Sequence, residues 1–91
     1  MIIVTYDIAN DKLRTKFSKY LGKYGYRLQY SVFKIKNSQR ILNNIIAEIN
    51  SQFGPKFKQE DSVIIFNLSK QCKQYSFGFA KNENQEIIIV G

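Results

Sequence analysis

Two apolar patterns of helical period, each preceded by an extended run, constrain the fold of this chain most strongly. The run from Ile2 to Ile8 is apolar and β-branched, which is typical of a buried strand. Beyond it, apolar residues recur every three or four positions, so each helix has one core-facing stripe. The first stripe consists of Leu13, Phe17, Tyr20, Leu21 and Tyr24, and the second of Leu42, Ile45, Ile46, Ile49 and Phe53.

Capping residues indicate where these helices begin and end. Asn10 can cap the first helix, and Gly25 is a candidate left-handed residue at its end. Asn37–Ser38 open the second helix, and Gly54–Pro55 stop it. Strands and helices therefore alternate along the first two thirds of the chain.

The remaining segments are extended. Residues 26–36 form either one long strand or two short strands with a tight turn near residues 29–31. Residues 62–68, 75–80 and 86–90 are three further strands, and residues 82–85 form a turn before the last.

This order predicts an α+β fold, a ferredoxin-like βαββαβ sandwich with an additional C-terminal strand and both helices on one face of an antiparallel sheet. With 91 residues the chain forms one domain, residues 1–91. The other sheet face must also be covered. The aromatic content of 14% and the apolar C-terminal strand indicate that a second copy covers it, with residues 82–91 contributing to a homodimer.

Positive charge is concentrated in one part of the chain. The segment from Asn10 to Arg40 carries nine basic residues against one acid, Asp11, and so a net charge of +8, while the rest of the chain sums to −1. A basic block on a folded domain is typical of a protein that binds a polyanion, and we expect nucleic acid. The alternative is a solvated helix face that keeps the protein soluble.

Several classes of chemistry are excluded by composition. The chain has no histidine, which removes Ser-His and Cys-His catalysis and histidine-ligated metals. Its single cysteine, Cys72, is expected to be a small apolar filler. Any metal must be held by oxygen ligands, which favours Mg²⁺ or Mn²⁺. No apolar run approaches the ~20 residues that a membrane helix needs, and no signal peptide is evident, so we expect a cytoplasmic protein without membrane contact.

Asp7 is out of place in the first strand, because it is a carboxylate in an otherwise apolar run. It can hold a cation beside a phosphate, or it can be a hydrogen-bonded acid at the end of a strand. One carboxylate is a poor magnesium site. Asp7 from each chain of a two-fold dimer would supply two.

Three segments together resemble a known family. They are the opening strand that ends Val-Thr-Tyr6-Asp7-Ile8, the basic helix from Asp11 onward that runs to Tyr24-Gly25-Tyr26, and Arg-Leu-Gln-Tyr-Ser-Val-Phe at residues 27–33. The chain resembles the smaller of the two universal CRISPR-associated spacer-acquisition proteins, the Cas-two family. It departs from the family pattern at Lys16, where arginine is common, and at Lys34, where an acid is common.

The resemblance implies a ferredoxin-like homodimer that binds double-stranded DNA as an adaptor for the larger CRISPR integrase. It also implies metal-dependent endonuclease activity on RNA or DNA. The site residues it implies are Asp7 as metal ligand, with Tyr6 also catalytic. The expected nucleic-acid-binding residues are Lys12, Arg14, Lys16, Lys19, Lys23, Arg27 and Phe33. Phe33 either stacks on a base or packs at the dimer interface. The alternative functions are a toxin-type ribonuclease of related fold and a non-catalytic nucleic-acid-binding module.

Overall fold

The computed structural model of this protein describes residues 1–68, 72–78 and 87–88. It contains two α-helices and six strands in that part of the chain. Their bounds are β1 Ile2–Asp7, α1 Asp11–Gly22, β2 Gly25–Gln29, β3 Val32–Ile35, α2 Gln39–Glu48, β4 Ser62–Asn67, β5 Lys73–Gly78 and β6 Ile87–Ile88.

The strands form one antiparallel sheet in the order β2-β3-β1-β4-β5-β6. The first four strands and the two helices have the ferredoxin-like order, with β1 between β3 and β4, so the predicted fold class is confirmed. Residues 26–36 form a hairpin, the second of the two predicted alternatives, and its strands part at Tyr30–Ser31. β5 and β6 extend the sheet beyond β4 within this single chain.

The core lies on the helix-covered face of the sheet. Alternate residues of β1 are buried there, namely Ile2, Val4 and Tyr6, and they pack in one cluster with the stripes of both helices. Phe17 of α1 is completely buried, with its ring centroid 5.2 Å from that of Tyr6 and 4.9 Å from that of Phe53. These edge-to-face contacts join β1, α1 and the end of the second helical segment.

The predicted caps agree with the structure at both helix starts. The Asn10 side chain accepts a hydrogen bond from the Leu13 amide, and Ser38 accepts one from Ile41. The prediction for Gly25 is wrong, because α1 ends at Gly22, its capping residue Lys23 has a right-handed conformation, and Gly25 begins β2. Glycine is required at position 25 for steric reasons, since a Cβ would lie 2.0 Å from the Lys34 carbonyl oxygen of the paired strand.

The second helical segment changes its winding before it stops. Regular α-helix ends at Glu48, a π-helical turn follows over Ile49–Phe53, and a 3₁₀ turn covers Gly54–Lys56. Ile49 and Phe53 remain buried through this change, so the apolar stripe stays in the core although the helix type changes. Gly54 and Pro55 lie in the terminal turn, as predicted.

Asp61 is a buried carboxylate that the helical and strand patterns do not predict. It is 1% exposed and accepts hydrogen bonds from the backbone amides of Ala9 at 3.0 Å and Lys58 at 2.8 Å. Ala9 precedes α1, whereas Lys58 precedes β4. Asp61 therefore joins the loop at the start of α1 to the segment that follows the second helix.

The C-terminal predictions are met only in part of the chain. β5 begins at Lys73, two residues before the predicted start. The predicted last strand is present at Ile87–Ile88, where it pairs with Lys73–Gln74 of the same chain. The turn at residues 82–85 and the rest of the C-terminal segment lie outside the described residues. No helix in the described part of the chain is both long and apolar enough to cross a membrane.

We predict that Asp61→Ala lowers the free energy of unfolding by about 3 kcal/mol, because two partly buried amides lose a charged acceptor. Glu60→Ala is the matched control, since Glu60 is exposed and its loss should cost about 0.5 kcal/mol or less. Urea unfolding at one protein concentration measures both. Equal effects of the two substitutions would show that Asp61 does not join the two loops.

Candidate functional site

A polar cavity of about 250 Å³ lies between α1 and the β2–β3 hairpin. It brings together three residues predicted as site residues, Tyr6, Arg14 and Arg27, which belong to β1, α1 and β2. The other lining residues are Thr15, Ser18 and Tyr30. We call this cavity the arginine pocket.

Arg14 is held in the pocket by the chain around the start of α1. Its Nη1 donates to the Ile8 carbonyl oxygen at 3.1 Å and to the Ala9 carbonyl oxygen at 3.3 Å, and its Nη2 donates to the Asp11 carboxylate. The hydrogen bond to Asp11 raises the pKa of Arg14 above its ordinary, already high value. The guanidinium is therefore permanently charged, and its orientation is set before any ligand arrives.

Arg27 is oriented differently, by an aromatic ring. Its guanidinium carbon lies 5.2 Å from the centroid of Phe33, within the range of a cation–π contact. Phe33 is 4% exposed and its centroid lies 6.3 Å from that of Tyr6. Phe33 thus packs in the protomer core beneath Arg27. The geometry supports neither predicted alternative, because a ring buried in the protomer core is available neither to stack on a base nor to pack at a dimer interface.

Tyr6 is almost completely buried, and its backbone amide donates to the Ser31 carbonyl oxygen at 3.2 Å, which ties the hairpin turn to β1. Burial raises the pKa of the Tyr6 phenol above its ordinary value, and nearby Arg27 opposes that rise. The hydroxyl is therefore protonated at neutral pH. At the pocket it can donate a hydrogen bond to an anion, but it is not a base.

Asp7 stands apart from the arginine pocket. It is exposed at the end of β1, in register with Ser62, and strand alternation places it on the opposite sheet face from Tyr6. Among the described residues no group of three or more acids, cysteines or histidines could hold a metal ion. Asp7 alone is a poor magnesium site, so the expected Mg²⁺ calls for a second carboxylate, which another copy of the chain can supply.

The remaining predicted binding residues lie on the other flank of α1. Lys12 and Lys16 line a second cavity of about 260 Å³ together with Lys56 and Lys58. Lys19 is exposed, and the Lys23 ammonium lies 5.9 Å from the Tyr20 ring centroid. α1 therefore carries Arg14 on one flank and its lysines on the other, as the helical spacing predicts.

Sequence reasoning missed several residues of both cavities. Ser18 follows Arg14 by four positions, so helical spacing alone places it on the same flank. Tyr30 lies inside the segment at residues 27–33 that carries the family resemblance. Lys56 and Lys58 had no such signal, because they are near α1 in space and far from it along the chain.

Chemically, the arginine pocket suits an oxyanion. Two guanidiniums held from different sides can bind phosphate oxygens through charge-assisted hydrogen bonds. The hydroxyls of Tyr6 and Ser18 add neutral donors to the same cavity.

Comparison with known proteins identifies the family. The family model described as CRISPR associated protein Cas2 matches residues 1–75. The chain belongs to the Cas2 family. The resemblance seen in the sequence is thereby confirmed.

Two curated Cas2 relatives are similar over most of this chain. CRISPR-associated endoribonuclease Cas2 4 of Rhodospirillum rubrum is 35% identical over 70 residues, which cover 77% of this chain and 54% of that protein. CRISPR-associated endoribonuclease Cas2 2 of Methanospirillum hungatei is 29% identical over 91 residues, which cover 97% of both chains.

Solved structures also resemble this fold. A hypothetical protein, TT1823, from Thermus thermophilus superposes with a TM-score of 0.64 at 28% identity, covering 77% of this chain and 82% of its own. Cas2 of Streptococcus pyogenes superposes with a TM-score of 0.57 at 21% identity, covering 99% and 98%. The latter supports the fold alone.

We predict that Tyr6→Phe weakens the pH dependence of stability in alkaline solution. The folded protein holds the Tyr6 proton more tightly than the unfolded chain, so the free energy of unfolding should fall as pH rises above about 10. Removing the hydroxyl should reduce that slope by less than about 1.4 kcal/mol per pH unit. Urea unfolding of both proteins from pH 9 to pH 11 tests this, and identical slopes would contradict the burial of the hydroxyl.

Proposed function

We propose that this Cas2 family member is a CRISPR adaptation protein that binds double-stranded DNA as a homodimer and acts as an adaptor for the larger integrase of the spacer-integration complex. The observation that carries the proposal is that positively charged side chains line a cavity on each flank of α1. Arg14 and Arg27 converge on one cavity, and Lys12 and Lys16 line another.

The grip on DNA would rest on the phosphates. Arg14 and Arg27 are both oriented by contacts within the protein, so binding a phosphate would cost little further ordering of their side chains. Contacts to phosphate position a duplex without reading its sequence. That property suits an adaptor that must accept DNA of many sequences.

A homodimer would cover the sheet face away from the helices. Ile3, Ile64 and Phe66 lie on that face by strand alternation, and all three are half-buried. Ile3 of β1 pairs with Phe66 of β4 on one side and with Lys34 of β3 on the other. A second copy would bury these apolar side chains further, which would add to the modest core of a chain of 91 residues.

Magnesium-dependent endonuclease activity on RNA or DNA is the second candidate, and the exposed Asp7 at the end of β1 favours it. The relatives from Rhodospirillum and Methanospirillum are both named endoribonucleases. In a dimer, Asp7 of the two protomers would hold the ion. A bound Mg²⁺ would activate water and neutralise the phosphate. Tyr6 would contribute a hydrogen bond on the opposite sheet face, so its part would be to orient nucleic acid.

The substitution Asp7→Asn separates adaptor from enzyme. Asparagine is nearly isosteric with aspartate but uncharged, so the fold should persist while affinity for the cation is lost. We predict that cleavage is abolished and that duplex binding is retained or becomes slightly tighter, because repulsion between carboxylate and phosphate is relieved. We also predict that spacer integration with the larger partner persists.

Cleavage, duplex binding and spacer integration are measured on one purified Asp7→Asn dimer. Glu60→Gln is the control, because it removes one exposed carboxylate elsewhere. Loss of integration in Asp7→Asn with duplex binding intact would contradict the adaptor proposal. Cleavage that survives in Asp7→Asn would contradict the role of Asp7 as metal ligand.

A further inference from the structure

Four lysines from two distant segments meet at the second cavity. Lys12 and Lys16 come from α1, and Lys56 and Lys58 come from the segment between the second helix and β4. Asn10 and Leu13 complete the lining of the cavity. We call the four side chains the lysine cluster.

The protein holds the second pair of lysines close to α1. Asp61 accepts one hydrogen bond from the Lys58 amide and another from the Ala9 amide, just before α1. The Phe57 amide donates to the Gly54 carbonyl oxygen at 3.0 Å and closes the 3₁₀ turn that carries Lys56. The backbone beneath both lysines is therefore fixed relative to α1, and their meeting at the cavity follows from the fold.

Strand β5 also supports this arrangement. Gly78 has a positive φ of 78°, and a Cβ there would lie 2.1 Å from the Asp61 carbonyl oxygen. The end of β5 thus packs directly against the turn that holds Asp61. A larger residue at position 78 would displace that turn and with it the segment that bears Lys58.

Within residues 1–68, no acidic side chain forms a salt bridge with the lysine cluster, since the one salt bridge between side chains there joins Arg14 to Asp11 on the other flank of α1. All four lysines are exposed. Asp61 is turned into the protein, and Glu60 does not line the cavity. Four like charges around one concave surface repel each other, and an anion would relieve that repulsion.

The chemistry of the cluster favours a phosphodiester backbone. Lysine ammoniums bind phosphates as mobile point charges, which suits a repeating polyanion better than a single fixed anion. Lys19 and Lys23 continue the row along α1, so a strand that leaves the cavity meets further positive charge.

We propose that the lysine cluster binds backbone phosphates of the same duplex that the arginine pocket grips, so that the DNA path extends from α1 onto Lys56 and Lys58. This inference rests on the proposed duplex binding, and it adds a binding surface on the segment that follows the second helix. Asp61 is the positioning residue of that surface.

The test compares two double charge reversals of equal size. Lys56→Glu/Lys58→Glu alters the cluster, whereas Lys36→Glu/Arg40→Glu alters two exposed cations after β3 and at the start of α2. Binding of a 20-base-pair duplex is measured by fluorescence anisotropy over a range of salt. Lys56→Gln/Lys58→Gln, which introduces no acid, is measured in parallel in case the reversal disturbs the fold near Asp61.

We expect both cluster variants to lose affinity at least about tenfold at ~0.1 M salt. Their slope of log affinity against log salt should become shallower by roughly 1.8, or about 0.9 for each phosphate that the protein no longer neutralises. The control reversal should cost clearly less affinity than the cluster reversal, because Lys36 and Arg40 line neither the cavity of the lysine cluster nor the arginine pocket.

Each other outcome is decisive. If both reversals lose the same affinity, net charge alone explains binding and the inference is overturned. Wild-type affinity in the cluster variants overturns it as well, while duplex binding and the proposed function stand. If the unmodified protein fails to bind duplex, the proposed function and this inference are both contradicted. Binding of inorganic phosphate that depends on the cluster, with duplex binding unchanged, would assign the site to a small anion and contradict the inference.

Discussion

The packing of α1 onto the central strand of the sheet is the constraint on which the surface of this protein depends. Phe17 is completely buried between Tyr6 of β1 and Phe53 of the second helical segment. Because the apolar stripe of α1 packs in the core, the orientation of the two flanks of the helix is fixed. One flank faces the β2–β3 hairpin, and the other faces the turn after the second helix. Positive charge on both flanks is therefore displayed on two separate surfaces of one helix.

The two surfaces are organised in different ways. In the arginine pocket the cations are oriented by short contacts, Arg14 by two carbonyl oxygens and Asp11, and Arg27 by the face of Phe33. In the lysine cluster the backbone is fixed through Asp61, while the ammoniums remain at the ends of flexible stems. A rigid site favours one phosphate position, and a flexible site tolerates several. Together they suit a protein that grips a duplex without reading its sequence.

Local patterns predicted the parts of this structure that local physics determines. The helical stripes and the caps at Asn10 and Ser38 follow from the spacing and chemistry of neighbouring residues, and they agree with the structure. The prediction that Gly25 ends α1 failed because the role of this glycine is set by the Lys34 carbonyl of a paired strand, which lies outside the local sequence around Gly25. For the same reason the sequence leaves Phe33 open between stacking on a base and packing at a dimer interface, whereas it is buried in the protomer core, where its burial depends on Tyr6 in another strand.

The candidate site shows the same division. Spacing along α1 separated Arg14 from the lysines correctly, because both belong to one helix. It could not bring Lys56 and Lys58 to that helix, nor show that Asp61 would be buried between two loops. The chemistry of Asp7 depends on what a second copy of the chain would place beside it.

The salt dependence of duplex binding by the unmodified protein tests the central claim most directly, namely that the excess positive charge around α1 is a surface for nucleic-acid phosphates. The dissociation constant for one duplex is measured across a series of salt concentrations. The account predicts a steep linear loss of log affinity with log salt, about 0.9 for each phosphate neutralised, and the same slope for duplexes of unrelated sequence. Affinity that is independent of salt, or that differs strongly between sequences, would contradict it.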